Sequence, residues 1–342
     1  MATPSTADRP TPERIFALMN AFQNTEALKT GIELDVFTAI GESANTPPLL
    51  AAKTGASERG LRILCDYLTI MGLITKENGR YGLTEESALF LDRRSPASLV
   101  AVTGFLGSAW HKKNTEALTA AVRKGGTTGT KGDNREPQDE VWVAFARSMA
   151  RLTIPAANFI AELVGCAEGQ PCRVLDIAAG HGMYGITVAK KNPNATIVAV
   201  DWPSVLAVAL ENAQAAAVSG RYTTRPGSAF ETDFGSGYDF ILLTNIFHHF
   251  DMPTCETLMR RVYAALKPGG RAVTLEFVPN EDRVTPPAAA AFSLNMLVGT
   301  DAGDAYTFSE YEKMFANTGF AKTTLHPVTG TPQQVLISEK PE

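Results

Sequence analysis

Two histidines and a glutamate stand where two apolar runs end, which is where functional side chains of a parallel sheet are found. His248 and His249 follow the apolar run 240–244, and Glu276 lies near the end of the run 271–277. A histidine with an ordinary pKa near ~6.5 can accept a proton from a hydroxyl at neutral pH. We therefore predict that His248 is a general base. The alternative is a histidine that only fills space after the strand.

Glu276 is predicted to orient this histidine. Carboxylates are rarely buried unless they are paired, and a carboxylate beside an imidazole fixes its tautomer and stabilises its charged form. The ring of His248 is the natural partner of Glu276, with a backbone amide or Arg283 as the alternative.

A nucleoside site is predicted from the segment 172–185, CRVLDIAAGHGMYG. It is an apolar run that opens into a turn of small residues, which lets a ligand approach the backbone, and then enters a helical pattern. Asp201 ends the next apolar run. A carboxylate at that position can accept both hydroxyls of a ribose.

The identity of the nucleoside follows from Asp176. Residues 180–185 match the dinucleotide fingerprint GxGxxG, so an NAD-linked oxidoreductase is one alternative. A carboxylate inside the first strand would repel a pyrophosphate but attract an ammonium group. S-adenosylmethionine has a ribose and an ammonium group and no phosphate, and it is the predicted cofactor.

The elements that position these residues alternate as strands and helices, which predicts a parallel sheet with helices on both faces. The fold class is therefore α/β, a seven-stranded Rossmann-like sheet whose last two strands pair as an antiparallel hairpin. The carboxyl ends of its first, second and fourth strands should lie together. The predicted strands are 173–177, 196–200, 221–224, 240–244, 271–277, 322–327 and 334–338.

The N-terminal region predicts a separate, mainly helical domain. Residues 1–12 are polar and proline-rich, which indicates a flexible arm. Ser57 should cap a helix over 58–71, and Asn78-Gly79 predicts the turn of a hairpin over 72–84. Helices followed by a hairpin form a winged-helix arrangement. The helix 58–71 has few positive charges, so we predict a role in dimerisation and as a substrate lid rather than in DNA binding.

Between the two domains, further helices are predicted, including a long stretch over 140–164. The glycine-rich segment 124–131 is predicted to be a flexible loop. The predicted domains are residues 13–95, 96–165 and 166–342. Aromatic and methionine side chains should line an acceptor pocket between domains for a flat, mostly apolar molecule, although core packing is the alternative. They are Phe105, Trp110, Phe145, Met149, Phe292 and Met296.

The composition excludes several classes of protein. The net charge of −5 over 342 residues offers no basic surface to nucleic acid or to an anionic membrane, and it disfavours a catalytically silent DNA-binding regulator. No apolar run approaches the ~20 residues of a membrane helix. The four cysteines have no metal-like spacing, so no metal site is predicted, and reduced thiols in the cytoplasm are expected.

Taken together, the motifs resemble those of the small-molecule O-methyltransferases that dimerise through an N-terminal winged-helix domain, such as plant caffeate-type and bacterial polyketide-tailoring enzymes. The resemblance covers nearly everything after residue 12. Its motifs are VLDIAAGHG at 174–182, DWP at 201–203, GSAF at 227–230, NIFH at 245–248 and LKPGG at 266–270.

This resemblance implies methyl transfer from S-adenosylmethionine to a hydroxyl of a small aromatic acceptor, in a homodimer. It implies His248 as the base and Glu276 as one of two carboxylates beside it. The second carboxylate aligns with Ala305, so Asp304 is predicted to replace it, with Asp301 as the alternative; carbon or nitrogen acceptors stay open for the same reason. The implied cofactor residues are Asp176, Ala178, Gly180, Gly182, Asp201, Trp202, Ser228, Ala229, Phe230 and Thr244.

Besides Ala305, the chain departs from the family pattern at four positions. His249 stands where an aspartate is common, and Ala178 replaces the first glycine of the cofactor turn. Thr244 replaces a lysine of the plant members. Ser228 replaces an acid that often binds the adenine amine, so that hydrogen bond should be weaker or come from Asp233.

Overall fold

The computed structural model describes residues 10–129, 139–164 and 169–342, which form two compact units that divide between Gly107 and Ser108. Residues 1–9 of the predicted arm, residues 130 and 131 of the glycine-rich segment and the predicted boundary at 165 lie outside the described residues. The predicted domain boundaries at 95 and 165 stay a proposal.

The first unit consists of short helices and one hairpin. Its core contains Phe37, Leu50, Leu61 and Leu68, each at most 1% exposed. The elements are α1 (Glu13–Met19), α2 (Phe22–Glu33), α3 (Val36–Gly41), α4 (Pro47–Thr54), α5 (Glu58–Ile70), β1 (Ile74–Glu77), β2 (Arg80–Leu83), α6 (Glu85–Phe90) and α7 (Val100–Leu106).

Local sequence signals explain the winged-helix part of this unit. The Ser57 hydroxyl caps α5 by accepting a hydrogen bond from the Gly60 N–H at 3.1 Å. Strands β1 and β2 are antiparallel, and the two turn residues, Asn78 and Gly79, have φ of 48° and 75°. Positive φ at both positions matches the right-handed twist of a tight hairpin. The predicted cap and hairpin are confirmed.

In its described residues, the second unit begins with four helices and continues as an alternating α/β domain. Its helices are α8 (Ala109–Glu116), α9 (Leu118–Lys124), α10 (Asp139–Met149), α11 (Ile154–Leu163), α12 (Met183–Lys191), α13 (Pro203–Ala215), α14 (Met252–Ala265), α15 (Pro287–Ala290), α16 (Phe292–Gly299) and α17 (Phe308–Asn317). Its strands are β3 (Cys172–Ile177), β4 (Ala195–Asp201), β5 (Tyr222–Pro226), β6 (Tyr238–Thr244), β7 (Leu266–Glu276), β8 (Lys322–Pro327) and β9 (Gln334–Glu339).

The seven strands of this unit form one sheet in the order β5-β4-β3-β6-β7-β9-β8. The first five are parallel, and β9 pairs antiparallel with both β7 and β8. The predicted sheet and its antiparallel last hairpin are confirmed. The strand order reverses at β3, between β4 and β6, and a cleft forms at the carboxyl ends of the strands where such a reversal occurs.

Apolar clusters cover both faces of the sheet. Val174, Ile197 and Leu242 belong to the cluster on one face, and Leu175, Ile241 and Leu243 belong to the cluster on the other. Successive residues of a strand point to opposite faces, so a strand that is buried on both sides must be apolar throughout. For this reason the continuous apolar runs in the sequence predicted the positions of the strands.

Two expectations are wrong, and a third stays untested. The predicted long helix over 140–164 is divided into α10 and α11, because Pro155 lies in the first turn of α11 and cannot continue a preceding helix. The glycine-rich segment is a loop after α9 in which Gly126 and Thr127 are buried while Gly125, Thr128 and Gly129 are exposed; its flexibility stays a prediction. Cys65 and Cys255 are free, but Cys172 is disulfide-bonded rather than reduced.

Across the described part of the chain, none of the helices combines the length and the apolar character needed to span a membrane.

Candidate active site

The small-residue turn after β3 bends the chain sharply toward α12. Ala178, Gly180 and Gly182 have φ of 54°, 57° and 75°, in the left-handed region that favours glycine. A Cβ at Gly182 would lie 2.5 Å from Oη of Tyr222 and 3.0 Å from Cβ of Ala209, so glycine is required there for space as well as for conformation. Ala178 adopts the conformation that a glycine would favour.

Asp176 lies beneath this turn and is completely buried. Its Oδ2 accepts a hydrogen bond from the Gly185 N–H at 3.1 Å, whereas Oδ1 has no partner among the described residues. Burial raises the pKa of Asp176 to about 8; the Gly185 N–H opposes this shift and the nearby Asp201 adds to it. A buried carboxylate oxygen without a partner favours a cationic group close to it.

Asp201 connects β4 to the same turn. Its Oδ2 accepts the Gly180 N–H at 2.8 Å, and its Oδ1 accepts the Trp202 N–H at 2.7 Å. Burial raises the pKa of Asp201 to about 6, against the effect of these two N–H groups. Each carboxylate oxygen has a second lone pair, so the group can still accept hydroxyl donors.

The other predicted cofactor residues lie on neighbouring segments. The Gly227 N–H donates to the backbone carbonyl of Asp201 at 2.9 Å, which brings Ser228, Ala229 and Phe230 beside β4. Thr244 is buried at the end of β6, adjacent to β3. Trp202 is half-buried after Asp201. Asp233 is exposed, and its Oδ1 accepts the Gly235 N–H at 2.8 Å.

His248 and Glu276 form a buried pair at the ends of β6 and β7. Nδ1 of His248, in the short 3-10 turn Phe247–His249, lies 2.6 Å from Oε2 of Glu276. Oε1 of Glu276 accepts the N–H groups of Ile246 and Phe247 at 3.0 and 2.9 Å. Glu276 therefore contacts the His248 ring, as predicted, and also backbone amides, which were the alternative partner. An ionised carboxylate only accepts, so Nδ1 carries the proton and Nε2 retains its lone pair.

Aromatic rings surround this pair. The ring centroid of His248 is 4.9 Å from that of Phe292 and 4.4 Å from that of His249. Phe292 stacks on Phe277 at 3.8 Å, and His249 contacts Trp142 edge-on at 5.5 Å. Burial lowers the pKa of His249 well below its ordinary value, and the proximity of His248 lowers it further.

Sequence reasoning missed two of these rings. Phe277 directly follows Glu276, and Trp142 precedes Phe145 and Met149 at the helical spacing of three and seven residues. That spacing places Trp142 on the same face of α10, and it could have identified the residue.

The remaining predicted pocket residues differ in their surroundings. Phe145 and Met149 are half-buried on α10, and Phe145 contacts Trp142 at 6.1 Å. Met296 is buried on α16, and Trp110 on α8 is 37% exposed. Phe105 belongs to the first unit, where it is buried.

The side chain of Asp304 is engaged by Arg283 and by the backbone. Its Oδ2 lies 3.0 Å from Nη1 of Arg283, and its Oδ1 accepts the Ala305 N–H at 2.8 Å. Asp301 is 3.5 Å from Nζ of Lys124. Both candidate second carboxylates therefore have other partners, and Ala305, which aligns with the family's second acid, is buried. A role for Asp304 or Asp301 beside His248 stays a prediction.

Two family models match this chain. An O-methyltransferase domain matches residues 160–321, and an O-methyltransferase dimerisation domain matches residues 16–93. The first match contains the cofactor turn, Asp201, His248 and Glu276.

Known proteins match over nearly the whole length. A solved structure from Nostoc punctiforme, provisionally assigned as an O-methyltransferase, is 48% identical, with a TM-score of 0.94 over 97% of this chain and 100% of that chain. The 3-hydroxy-5-methyl-1-naphthoate 3-O-methyltransferase of Streptomyces sahachiroi is 27% identical over 90% of this chain and 89% of its own length. PigF, a methyltransferase of Serratia solved with S-adenosylhomocysteine, is 26% identical, with a TM-score of 0.84 over 97% and 100% of the two chains.

The GxGxxG string thus lies within a match to a methyltransferase domain. That match also includes Asp201, and the solved structure from Nostoc punctiforme matches nearly the whole chain. The chain belongs to the family of S-adenosylmethionine-dependent O-methyltransferases.

Proposed function

We propose that this enzyme methylates a hydroxyl of a small aromatic acceptor and that His248 is its general base. The observation that carries this proposal is the 2.6 Å contact between Nδ1 of His248 and Glu276, which leaves Nε2 as the basic nitrogen among aromatic rings. A base that is held in one tautomer and surrounded by rings suits a phenol-type hydroxyl.

The residues around the turn fit S-adenosylmethionine. The unpartnered Oδ1 of Asp176 suits a cationic group, and Asp201 has lone pairs for the ribose hydroxyls. Ser228, Ala229 and Phe230 would lie beside the adenine, and Thr244 and Trp202 would complete the site. When bound, S-adenosylmethionine supplies a methyl group on a positively charged sulfur, which makes that group reactive.

In the proposed mechanism, Nε2 of His248 accepts the proton of the acceptor hydroxyl as the hydroxyl oxygen becomes the nucleophile. Glu276 then stabilises the imidazolium, because it accepts the hydrogen bond of Nδ1 with a negative charge. A positioned base of this kind contributes ~10²–10⁴-fold to the rate. Holding the acceptor in line contributes ~7–11 kcal/mol, so positioning is the larger effect.

The class of acceptor is inferred from the rings and from a relative. Phe292 and Phe277 form a flat apolar surface beside His248, with Trp142 near His249. The Streptomyces sahachiroi relative is named for a hydroxynaphthoate. A carbon or nitrogen acceptor is the second candidate, because Ala305 leaves His248 with one carboxylate instead of two.

We further propose a homodimer formed through the first unit. The dimerisation model covers residues 16–93. Large apolar side chains of α1 and α2 are 61–70% exposed, which is costly unless another surface covers them. They are Ile15, Phe16, Leu18, Met19 and Phe22. A cytoplasmic location stays a prediction.

The test of the proposed function is a pair of variants. His248→Ala should lower turnover of phenols, naphthols or hydroxybenzoates by ~10²-fold or more while it preserves calorimetric affinity for S-adenosylhomocysteine. Asp201→Ala should weaken that affinity. Unchanged turnover in His248→Ala would refute the base, and unchanged affinity in Asp201→Ala would refute the cofactor site.

A further inference from the structure

The segment Thr300–Gly303 is held between the loop after α9 and the turn that contains His248. On the loop side, the Thr127 N–H donates to the carbonyl of Thr300 at 2.8 Å. Gly126 lies so close that a Cβ on it would overlap the carbonyl oxygen of Asp301. Nζ of Lys124 lies 3.5 Å from Oδ1 of Asp301. We call residues 124–127 and 300–303 together the clasp.

On the other side, Gly303 touches the backbone of the catalytic turn. A Cβ on Gly303 would overlap the carbonyl oxygen of His248 and would lie 2.9 Å from the carbonyl carbon of His249. The Gly303 N–H donates to Oγ1 of Thr300 at 2.8 Å, which fixes the bend of the segment. Real Cβ atoms essentially never come closer than 3.0 Å to another heavy atom.

Neither position requires glycine because of its backbone conformation. Gly126 and Gly303 are not among the residues with positive φ, so an alanine is excluded by space alone. Close approach of two backbones is the usual reason for such a glycine. At each end of the clasp, the two backbones can lie this close only because glycine has no side chain.

Other contacts also hold the catalytic turn. Oε1 of Glu276 accepts the amides of Ile246 and Phe247 and, at 3.5 Å, that of His248, and Oη of Tyr306 donates to the carbonyl of Phe250 at 2.6 Å. Gly303 packs on the opposite polar group of the residue, the carbonyl of His248.

We propose that Gly303 is a positioning residue, which sets the location of His248 by direct backbone contact, and that Gly126 and Thr127 hold the Gly303 segment in place. This inference rests on the proposed function of His248. An alanine at Gly303 must move the two backbones apart by roughly 1 Å to restore ordinary contact distances. A displacement of that size can lower turnover by ~10²-fold.

The test compares Gly303→Ala, Gly126→Ala and the milder Thr300→Val, which removes the acceptor of the Gly303 N–H. Gly299→Ala is the matched control, because a Cβ there meets nothing within 4 Å. The first readout is the NMR resonance of the His248 Nδ1–H, assigned with His248→Ala, in enzyme saturated with S-adenosylhomocysteine. The second is kcat for a phenol that the wild type methylates.

The proposal expects the resonance to move and kcat to fall in the three clasp variants but not in the control, with affinity for S-adenosylhomocysteine retained. An unmoved resonance overturns the proposal, whether or not kcat falls. If the resonance moves while kcat stays at the wild-type value, the clasp stands and the assignment of His248 as the base fails.

Discussion

Replacement of Glu276 by glutamine is the perturbation whose result follows most directly from the geometry. Oε1 accepts two backbone N–H groups at 2.9 and 3.0 Å, so the glutamine must direct its amide oxygen toward them. Its NH₂ group then faces Nδ1 of His248, 2.6 Å from Oε2 in the wild type. Because an NH₂ group donates, Nδ1 must become an acceptor and the ring proton must move to Nε2.

A proton on Nε2 removes the lone pair that the proposed base requires. We expect kcat of Glu276→Gln to fall by ~10²–10⁴-fold, since wrong-tautomer substitutions have effects at the upper end of that range. At 1.36 kcal/mol per tenfold, the activation free energy rises by about 3 to 5 kcal/mol. Glu276→Ala is a poorer test, because two buried N–H groups would lose their partner at a cost of ~1–3 kcal/mol each.

The assay is the initial rate of S-adenosylhomocysteine formation with a saturating aromatic hydroxyl acceptor, together with the melting temperature and calorimetric affinity for S-adenosylhomocysteine. Glu281→Gln is the control, since this exposed carboxylate binds Ser309 instead of a histidine. If kcat of Glu276→Gln equals that of the wild type, the proposal that catalysis needs the His248 tautomer with its proton on Nδ1 is refuted.

Three further predictions test the cofactor site, the turn after β3 and the acceptor pocket. Because burial raises the pKa of Asp201 to about 6 and hydroxyl donors favour its ionised form, wild-type affinity for S-adenosylhomocysteine should rise as pH increases through about 6. Asp201→Asn should weaken binding and remove the rise near pH 6 in calorimetry, whereas a rise near pH 8 from ionisation of Asp176 remains; a profile unaltered by the substitution would contradict the site. Gly182→Ala should lower the free energy of unfolding by about 1–3 kcal/mol, measured with denaturant, because its Cβ meets Oη of Tyr222. Adding Tyr222→Phe to Gly182→Ala should restore part of the lost free energy of unfolding. A double variant that is no more stable than Gly182→Ala would contradict the clash with Oη of Tyr222 as the cause. Phe292→Leu should raise KM for aromatic acceptors in steady-state assays without changing affinity for S-adenosylhomocysteine; an unchanged KM would remove Phe292 from the proposed pocket.

The sheet and the positions of its functional side chains could be predicted because they depend on local patterns. Strands buried on both faces are continuous apolar runs, and acids at their ends are conspicuous. Thus Asp201 and Glu276 were identified by the runs before them. The contact of Glu276 with His248 was predicted because buried carboxylates are rarely unpaired, and it is confirmed, since β6 and β7 are neighbours in the sheet.

Other features depend on contacts between distant segments, which no local pattern specifies. Asp304 was proposed from its place next to Ala305, but its ion pair with Arg283 depends on how two loops meet. The packing of Gly126 on Asp301 is of the same kind. The break between α10 and α11 did have a local signal, Pro155, but the prediction of one long helix followed the apolar pattern instead.

The most direct test of the central claim is a crystal structure with S-adenosylhomocysteine and an aromatic acceptor that the enzyme methylates. We predict that Nε2 of His248 lies within ~3.2 Å of the acceptor oxygen, with that oxygen facing the sulfur of the cofactor product. An acceptor oxygen that contacts another side chain, with the ring of His248 directed away from it, would contradict the account.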